Sequence, residues 1–313
     1  MNTAIVVPTI RQKSIKKFLE MWDFFPCTIY VVEDNAYKTF KLPSKGENKI
    51  VHLCHRDIDC ELVDKSWIIR KKTDGVRCFG FYKAYKDGAD VVITMDDDVY
   101  PDPRALPFLE THLKKLSVPL TRWVWTLEKV RPRGTPYHNT GEVEAVINMG
   151  CWYGVPDVDA VTQLSYGIGE ADANIFSPVP PSYYYPMSGM NLAFKRKVIP
   201  LMFWPLMGKD YSVERMGDIW CGIIAKKICD YLGLAVLAGE PMVNHDRASN
   251  VWVNLEKESK GLLANETFWE IIDRIELKGK TVKQCYLEIA EGLPEEEYFG
   301  KLKEAMKTWI SLF

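Results

Sequence analysis

Short β-branched runs and longer helix-like stretches succeed one another through the first third of the chain. Residues 3–7 and 28–32 read as strands, with a helical stretch over 14–25 between them. A helix is expected over 76–86, a strand over 89–95 and a helix over 104–116. Such alternation predicts βαβ units and a mainly parallel sheet flanked by helices. Val91, Val92, Ile93, Thr94 and Met95 form a β-branched, apolar run, the pattern of a strand buried on both faces. Beyond residue 120 the pattern loosens. A strand is expected over 123–130, then loops rich in Gly, Pro and aromatics that end in SPVPPSYYYPMSGMN, with an apolar strand after Asn191. Residues 216–232 predict an amphipathic helix with Ile219, Trp220, Ile223, Ile224 and Ile228 on one side, and 234–237 a strand. The segment 266–313 reads as three helices with polar faces, packed as an extension on a larger domain of residues 1–265, or serving a homo-oligomer.

Composition narrows the class. A chain of 313 residues with 47% hydrophobic and 26% charged residues is an ordinary globular α/β protein able to bury a large core. Its net charge of −2 gives no electrostatic reason to expect nucleic acid or an anionic membrane. Eight scattered cysteines, without a CxxC pair, argue for reduced thiols and a cytoplasmic setting rather than disulfides or structural zinc. The start MNTAIVVPTI enters a strand directly, so no signal peptide is expected, and no apolar run is long enough for membrane insertion.

The candidate chemistry gathers at strand ends, where open α/β sheets bind ligands. Asp96, Asp97 and Asp98 follow the apolar run 91–95 and repel one another, so some positive group must hold them. An Asp-x-Asp there suits a divalent cation, Mn²⁺ or Mg²⁺, bridging the phosphates of a nucleotide; a solvated acidic turn is the alternative. Asp34 ends the run IYVVED at the same kind of position. His245, in VNHDRASN, can complete the ion's coordination, although a lone histidine is more often structural. Arg77, in the first turn of a helix, and Arg11, in PTIR, are candidates for a diphosphate or for holding the acidic loop. MSGMNLAF offers Gly189 and Asn191 where a ligand can approach the backbone, and Asp218 sits at a helix start, where N-capping is the simpler role. Arg133 lies in the Gly/Pro-punctuated loop RPRGTPYHNTGE.

The order of VVPTIR, FLEMW, VVEDN, RCFG, DDD, RGTPY, DVDAVTQL, MSGMNLAFKR, DIWCGIIAKKICDYLGL, HDRASNVWVNLEKESKGL and KQCYLEIA resembles the reversibly glycosylated polypeptide family, whose best-known members are plant UDP-arabinopyranose mutases. The resemblance implies a GT-A nucleotide-diphospho-sugar fold and a metal-dependent site for a UDP-sugar. It carries Asp96, Asp97 and Asp98 over as the metal and nucleotide motif; with the strand-end reading this places Thr9, Arg11, Asp34, Arg77, Asp96 and Asp97 at the nucleotide, and Asp96, Asp98 and His245 at the metal. Gly189, Asn191 and Trp220 fall to the sugar, with Arg133 and Asp218 as catalytic residues. Arg133 matches the family's Arg-Gly-x-Pro-aromatic element, associated with reversible self-glycosylation. Two positions depart from the pattern: Thr140 replaces a second arginine seven residues beyond Arg133, and Gly217-Asp218 replaces an acidic pair. The implied activity is interconversion of pyranose and furanose forms of a UDP-sugar. A transferase acting on an external acceptor is the alternative, and a non-catalytic subunit a third. A sugar-1-phosphate nucleotidyltransferase is set aside because VVPTIRQKS lacks the glycine-rich loop that activity needs.

Overall fold

The computed structural model describes residues 1–22, 24, 26–43, 48–123, 131–167, 177–211, 213–246 and 250–313. Its elements in chain order begin β1 (Thr3–Thr9), α1 (Gln12–Met21), β2 (Thr28–Glu33), β3 (Lys49–Leu53), α2 (His55–Leu62), α3 (Arg77–Lys86) and β4 (Val91–Met95). There follow β5 (Val99–Tyr100), α4 (Phe108–Ser117), β6 (Leu120–Thr121), β7 (Glu142–Val143), β8 (Ala145–Gly154), α5 (Ala160–Tyr166) and β9 (Asn191–Lys195). The chain closes with α6 (Gly217–Tyr231), β10 (Ala235–His245), α7 (Val251–Arg274), α8 (Val282–Gly292) and α9 (Glu297–Ile310).

Among the described residues eight strands form one sheet, ordered β3-β2-β1-β4-β9-β8-β10-β5, and β6 pairs separately with β7. The strands β3, β2, β1 and β4 are mutually parallel, β9 runs against both β4 and β8, and β10 runs parallel to β8. The expected mainly parallel, mixed α/β sheet is the one observed. Strand direction fixes where a ligand can sit. β1, β2, β4, β8 and β10 all end at one edge, and β9 begins there because Asn191 pairs with Met95.

Period-two alternation distributes the core between two layers. Ala4 and Val6 of β1 join Phe79 of α3 and Ile224 of α6 on one face; Ile5 and Val7 join Phe18 of α1 and Leu116 of α4 on the other. Every residue of β4 is buried, as its composition predicts. Helix α1 buries Ile15, Phe18 and Leu19, spaced for one face. Helix α4 starts at Phe108 rather than at residue 104, because Pro107 disfavours helical geometry in the residue before it.

Of the strand expected over 123–130, Trp123 lies at a bend and the rest falls outside the described residues. The boundary expected at residue 265 falls within α7, a single helix. Phe268 of that helix stacks on Trp220 of α6 with centroids 3.8 Å apart, and Trp309 of α9 donates its indole N–H to the Pro200 carbonyl at 2.9 Å. The last helices therefore share the core of the sheet's helical face. No helix among the described residues is long and apolar enough to cross a membrane.

Candidate active site

The three consecutive carboxylates after β4 turn in different directions and find different partners. Asp97 is buried and accepts the Thr9 Oγ1–H at 2.5 Å as well as a short contact from Arg11 Nη2. Asp98 accepts from the same Arg11 nitrogen at 3.1 Å. Asp96 is gripped by Arg77 Nη2 at 2.5 Å. The repulsion of the triplet is thus answered first by two arginines. Burial pushes the Asp97 and Asp98 carboxyls upward; Arg11 opposes this in both, and Asp96 adds to it. Burial also works against the Arg11 charge, but Asp97 and Asp98 hold its guanidinium more firmly protonated than usual.

Arg77 is an internal strut. It is 3% exposed and donates to Thr94 Oγ1 at 2.9 Å, the Gly189 carbonyl at 2.7 Å and the Asp74 carbonyl at 3.2 Å, besides Asp96. Its guanidinium carbon also lies 4.1 Å from the Trp204 ring centroid. It orients Asp96 and the Gly189 backbone, the second of the two roles the sequence left open for it, rather than presenting a free charge to a diphosphate. Asp34 is similarly committed. Buried at the end of β2, it accepts from His55 Nε2 at 2.6 Å and the Lys72 N–H at 2.8 Å, tying that loop to the strand.

His245 reaches the triplet through the sheet. It pairs with Val99 across β10 and β5, and the Asp246 N–H donates to the Asp98 carbonyl at 3.3 Å. Its Nδ1 lies 2.8 Å from the Val155 carbonyl. A carbonyl only accepts, so Nδ1 carries the proton and Nε2 keeps a lone pair, the tautomer that a metal-ligating histidine requires. Two carboxylates and one imidazole on the same edge are donors suited to Mn²⁺ or Mg²⁺. Among the described residues, however, no three His, Cys, Asp or Glu side chains converge into a ready-made ion cage. The arginines occupy one oxygen of Asp96 and one of Asp98, which leaves the second oxygen of each as a donor for an ion.

The other half of the site surrounds Gly189. A Cβ on this residue would lie 2.1 Å from Trp204 Cη2 and 2.6 Å from Arg77 Nη1, so only glycine lets β9 begin here. Asp218, at the first turn of α6, accepts the Gly189 N–H at 3.0 Å and the Ile219 N–H at 3.0 Å. Burial, then the charges of Asp74 and Asp157, push its carboxyl up to about 7, against the pull of the Gly189 N–H and Arg77. A carboxyl poised there can give or take a proton near neutrality. Asp74, Asp157 and Ser188 belong to this half and escaped sequence reasoning. Asp74, three residues before Arg77, was passed over beside it, and only the fold brings Asp157 and Ser188 together, with Ser188 Oγ donating to Asp157 at 2.7 Å.

Two sugar candidates are corrected. Asn191 is fully buried, donating to the Cys151 and Pro241 carbonyls at 3.1 and 2.9 Å and facing His112 Nε2 at 2.9 Å. Trp220 is 1% exposed, stacks on Phe268 and donates to Asn265 Oδ1 at 3.0 Å. Both are buried and hold elements together. Arg133 is exposed in the loop between β6 and β7, where Gly134 takes a left-handed turn; among the described residues no hydrogen bond or ion pair ties it to the strand-end carboxylates.

A family model described as reversibly glycosylated polypeptide matches residues 1–313. The chain is 35% identical to UDP-arabinopyranose mutase 1 of Arabidopsis thaliana over 332 residues, covering 98% of this chain and 90% of the relative. It is 34% identical to UDP-arabinopyranose mutase 1 of Oryza sativa subsp. japonica, covering 98% and 88% of the two chains. The probable UDP-arabinopyranose mutase 1 of Solanum tuberosum shares 34% identity with the same coverage.

Proposed function

The chain belongs to the reversibly glycosylated polypeptide family, and on that premise we infer that it is a UDP-sugar mutase, an intramolecular transferase interconverting the pyranose and furanose forms of UDP-arabinose. The observation that carries this reading is the match along nearly the whole chain to relatives bearing that name. The edge of the sheet supports it: a nucleotide end built from Thr9, Arg11 and Asp96 to Asp98 adjoins a second pole with a carboxyl poised near neutrality at Asp218.

In this reading the bond from the sugar's anomeric carbon to the UDP β-phosphate breaks, and UDP leaves with the electron pair. The sugar is kept near Arg133, its ring opens and recloses through a different hydroxyl, and UDP returns to the anomeric carbon. The hydroxyl that closes the new ring loses its proton and the former ring oxygen gains one, and Asp218 passes it between them. A divalent cation held by Asp96, Asp98 and His245 would offset charge on the departing diphosphate. Arg133 faces the released sugar as a planar cation. The eight free thiols support a reducing, cytoplasmic compartment.

Incubation with Mn²⁺ and a panel of UDP-sugars, with separation of the isomers and intact-protein mass, tests the reading. Interconverted isomers are expected. Sugar delivered to an added acceptor without isomerisation would make the protein a transferase. Chelator-treated protein and the Asp98→Asn variant should lose turnover; full rates in both would remove the metal. Arg133→Lys should stop isomerisation while UDP binding survives. Normal isomerisation by that variant would take Arg133 out of the reaction.

A further inference from the structure

With Asn191 and Trp220 committed inside the fold, other groups must meet the sugar. The residues after β8 run along the ligand edge of the sheet. Val155 accepts the His245 Nδ1–H at 2.8 Å, and two residues on, Asp157 is exposed and accepts the Ser188 hydroxyl at 2.7 Å. Two residues span at most roughly 7 Å, on the scale of one sugar ring. The segment thus leads from the metal-candidate histidine to a carboxylate two residues along the chain from its backbone partner.

Ser188 is 8% exposed and anchored: its N–H meets Met149 Sδ at 3.1 Å, and its Oγ receives the Met190 N–H at 3.4 Å. The hydroxyl proton is therefore directed to Asp157. Among the described residues this is the one hydrogen bond the Asp157 side chain makes, which leaves lone pairs for further donors. Asp218 lies close enough for the Asp157 charge to help hold its carboxyl up, and it grips the N–H of the residue after Ser188. The Trp204 ring abuts Gly189 in the same wall, and its indole N–H, in a side chain 2% exposed, has no acceptor among the described residues.

We propose that Asp157, held by Ser188, is a specificity-determining residue that accepts hydrogen bonds from hydroxyls of the substrate's sugar and restricts the site to neutral sugars. This rests on the UDP-sugar reading above. A neutral pentose offers O–H donors to the carboxylate, and hydrogen bonds to a charged acceptor discriminate strongly against a ligand that cannot make them. A uronic acid brings its own carboxylate to Asp157, while Arg77, the nearby cation, is already taken by Asp96. Like charge then excludes it.

Calorimetry with UDP, UDP-arabinopyranose and UDP-glucuronate, beside isomerisation kinetics, compares the wild type with Asp157→Asn and Ser188→Ala. The wild type is expected to prefer the pentose by about 10-fold or more over the uronate. Asp157→Asn should raise KM for UDP-arabinopyranose by roughly 10- to 100-fold with a smaller change in kcat, narrow the preference to about threefold and leave UDP affinity unchanged. Ser188→Ala should move both in the same direction, less far. Unchanged KM and preference in Asp157→Asn overturn the proposal. So does a parallel loss of UDP affinity, which would make Asp157 a nucleotide or structural residue. If the wild type isomerises no UDP-sugar, the mutase reading fails, yet the calorimetric preference still decides the role of Asp157.

Discussion

Arg77 and Asp218 hold opposite ends of one residue, the guanidinium on the Gly189 carbonyl and the carboxyl on its N–H. That clamp explains why Asp218 is more than the N-cap its position suggests, since burial beside Asp74 and Asp157 lifts its carboxyl to about 7. The consequence for stability has a definite sign. The folded pKa is raised, so between about pH 4 and 7 the unfolded chain gives up a proton that the folded protein keeps, and stability falls as pH rises through that window. Asp218→Asn keeps an acceptor for the Gly189 N–H but cannot ionise. It should melt with the wild type near pH 4 and a few degrees above it at pH 8, while turnover falls by roughly 100-fold or more. Equal melting temperatures at both pH values would show that Asp218 is not held protonated. At this scale the sequence was legible where a charge followed a buried run, as in Asp96 to Asp98. It misled at Asn191, whose partners lie 79, 40 and 50 residues away, a closure that no local pattern reports.

Strand β8 shows the same limit among elements. AVINMGCWYG has neither alternation nor a continuous β-branched run, because two of its positions serve neighbours rather than the core. Gly150 must be small, since a Cβ there would lie 2.1 Å from Asn191 Nδ2, and Asn148 donates to His112 Nδ1 at 2.8 Å. His112 of α4 is thereby wedged between β8 and β9 as a neutral ring, its Nε2–H facing Asn191 Oδ1. Burial drives its pKa down to about 3. The folded protein therefore refuses a proton that the unfolded chain accepts below about pH 6.5. The ring's contribution is intact above that value and is lost toward pH 3, at about 1.4 kcal/mol per pH unit. Denaturant unfolding between pH 7 and 4 should show this slope in the wild type. A His112→Gln variant, less stable at pH 7 but without the titrating ring, should be flatter by about that amount per unit. Parallel curves for the two proteins would place the acid sensitivity elsewhere. Elements such as β4 and α6 were readable in advance for the complementary reason: their side chains serve the core, on both faces of the sheet for β4 and on one for α6.

The whole molecule is where the expected division at residue 265 meets its strongest physical test. Amphipathic periodicity located the last helices, but it could not say which surface their apolar faces would cover. In the fold they cover the helical face of the sheet. Phe268 lies flat on Trp220, Trp309 stacks on Phe203 at 5.4 Å, and Phe313 meets Tyr85 edge-on at 4.8 Å and Tyr82 at 6.3 Å. Removing residues 266–313 would uncover those four partners. At roughly 1.5–3 kcal/mol for each large apolar side chain the cost is about 6–12 kcal/mol. Net stability of a typical domain is only about 5–15 kcal/mol, so the loss rivals all of it. A fragment of residues 1–265 should therefore show no cooperative thermal transition, bind a hydrophobic dye and retain no measurable UDP binding, although every strand-end residue of the site remains in it. The strand-end residues need the packing behind them, because Arg77 is held between Asp96 and Trp204, and Trp204 belongs to the same core as Trp309. A fragment that melts cooperatively and binds UDP with full-length affinity would show instead that 1–265 is a self-sufficient domain and that the last helices are dispensable to the site.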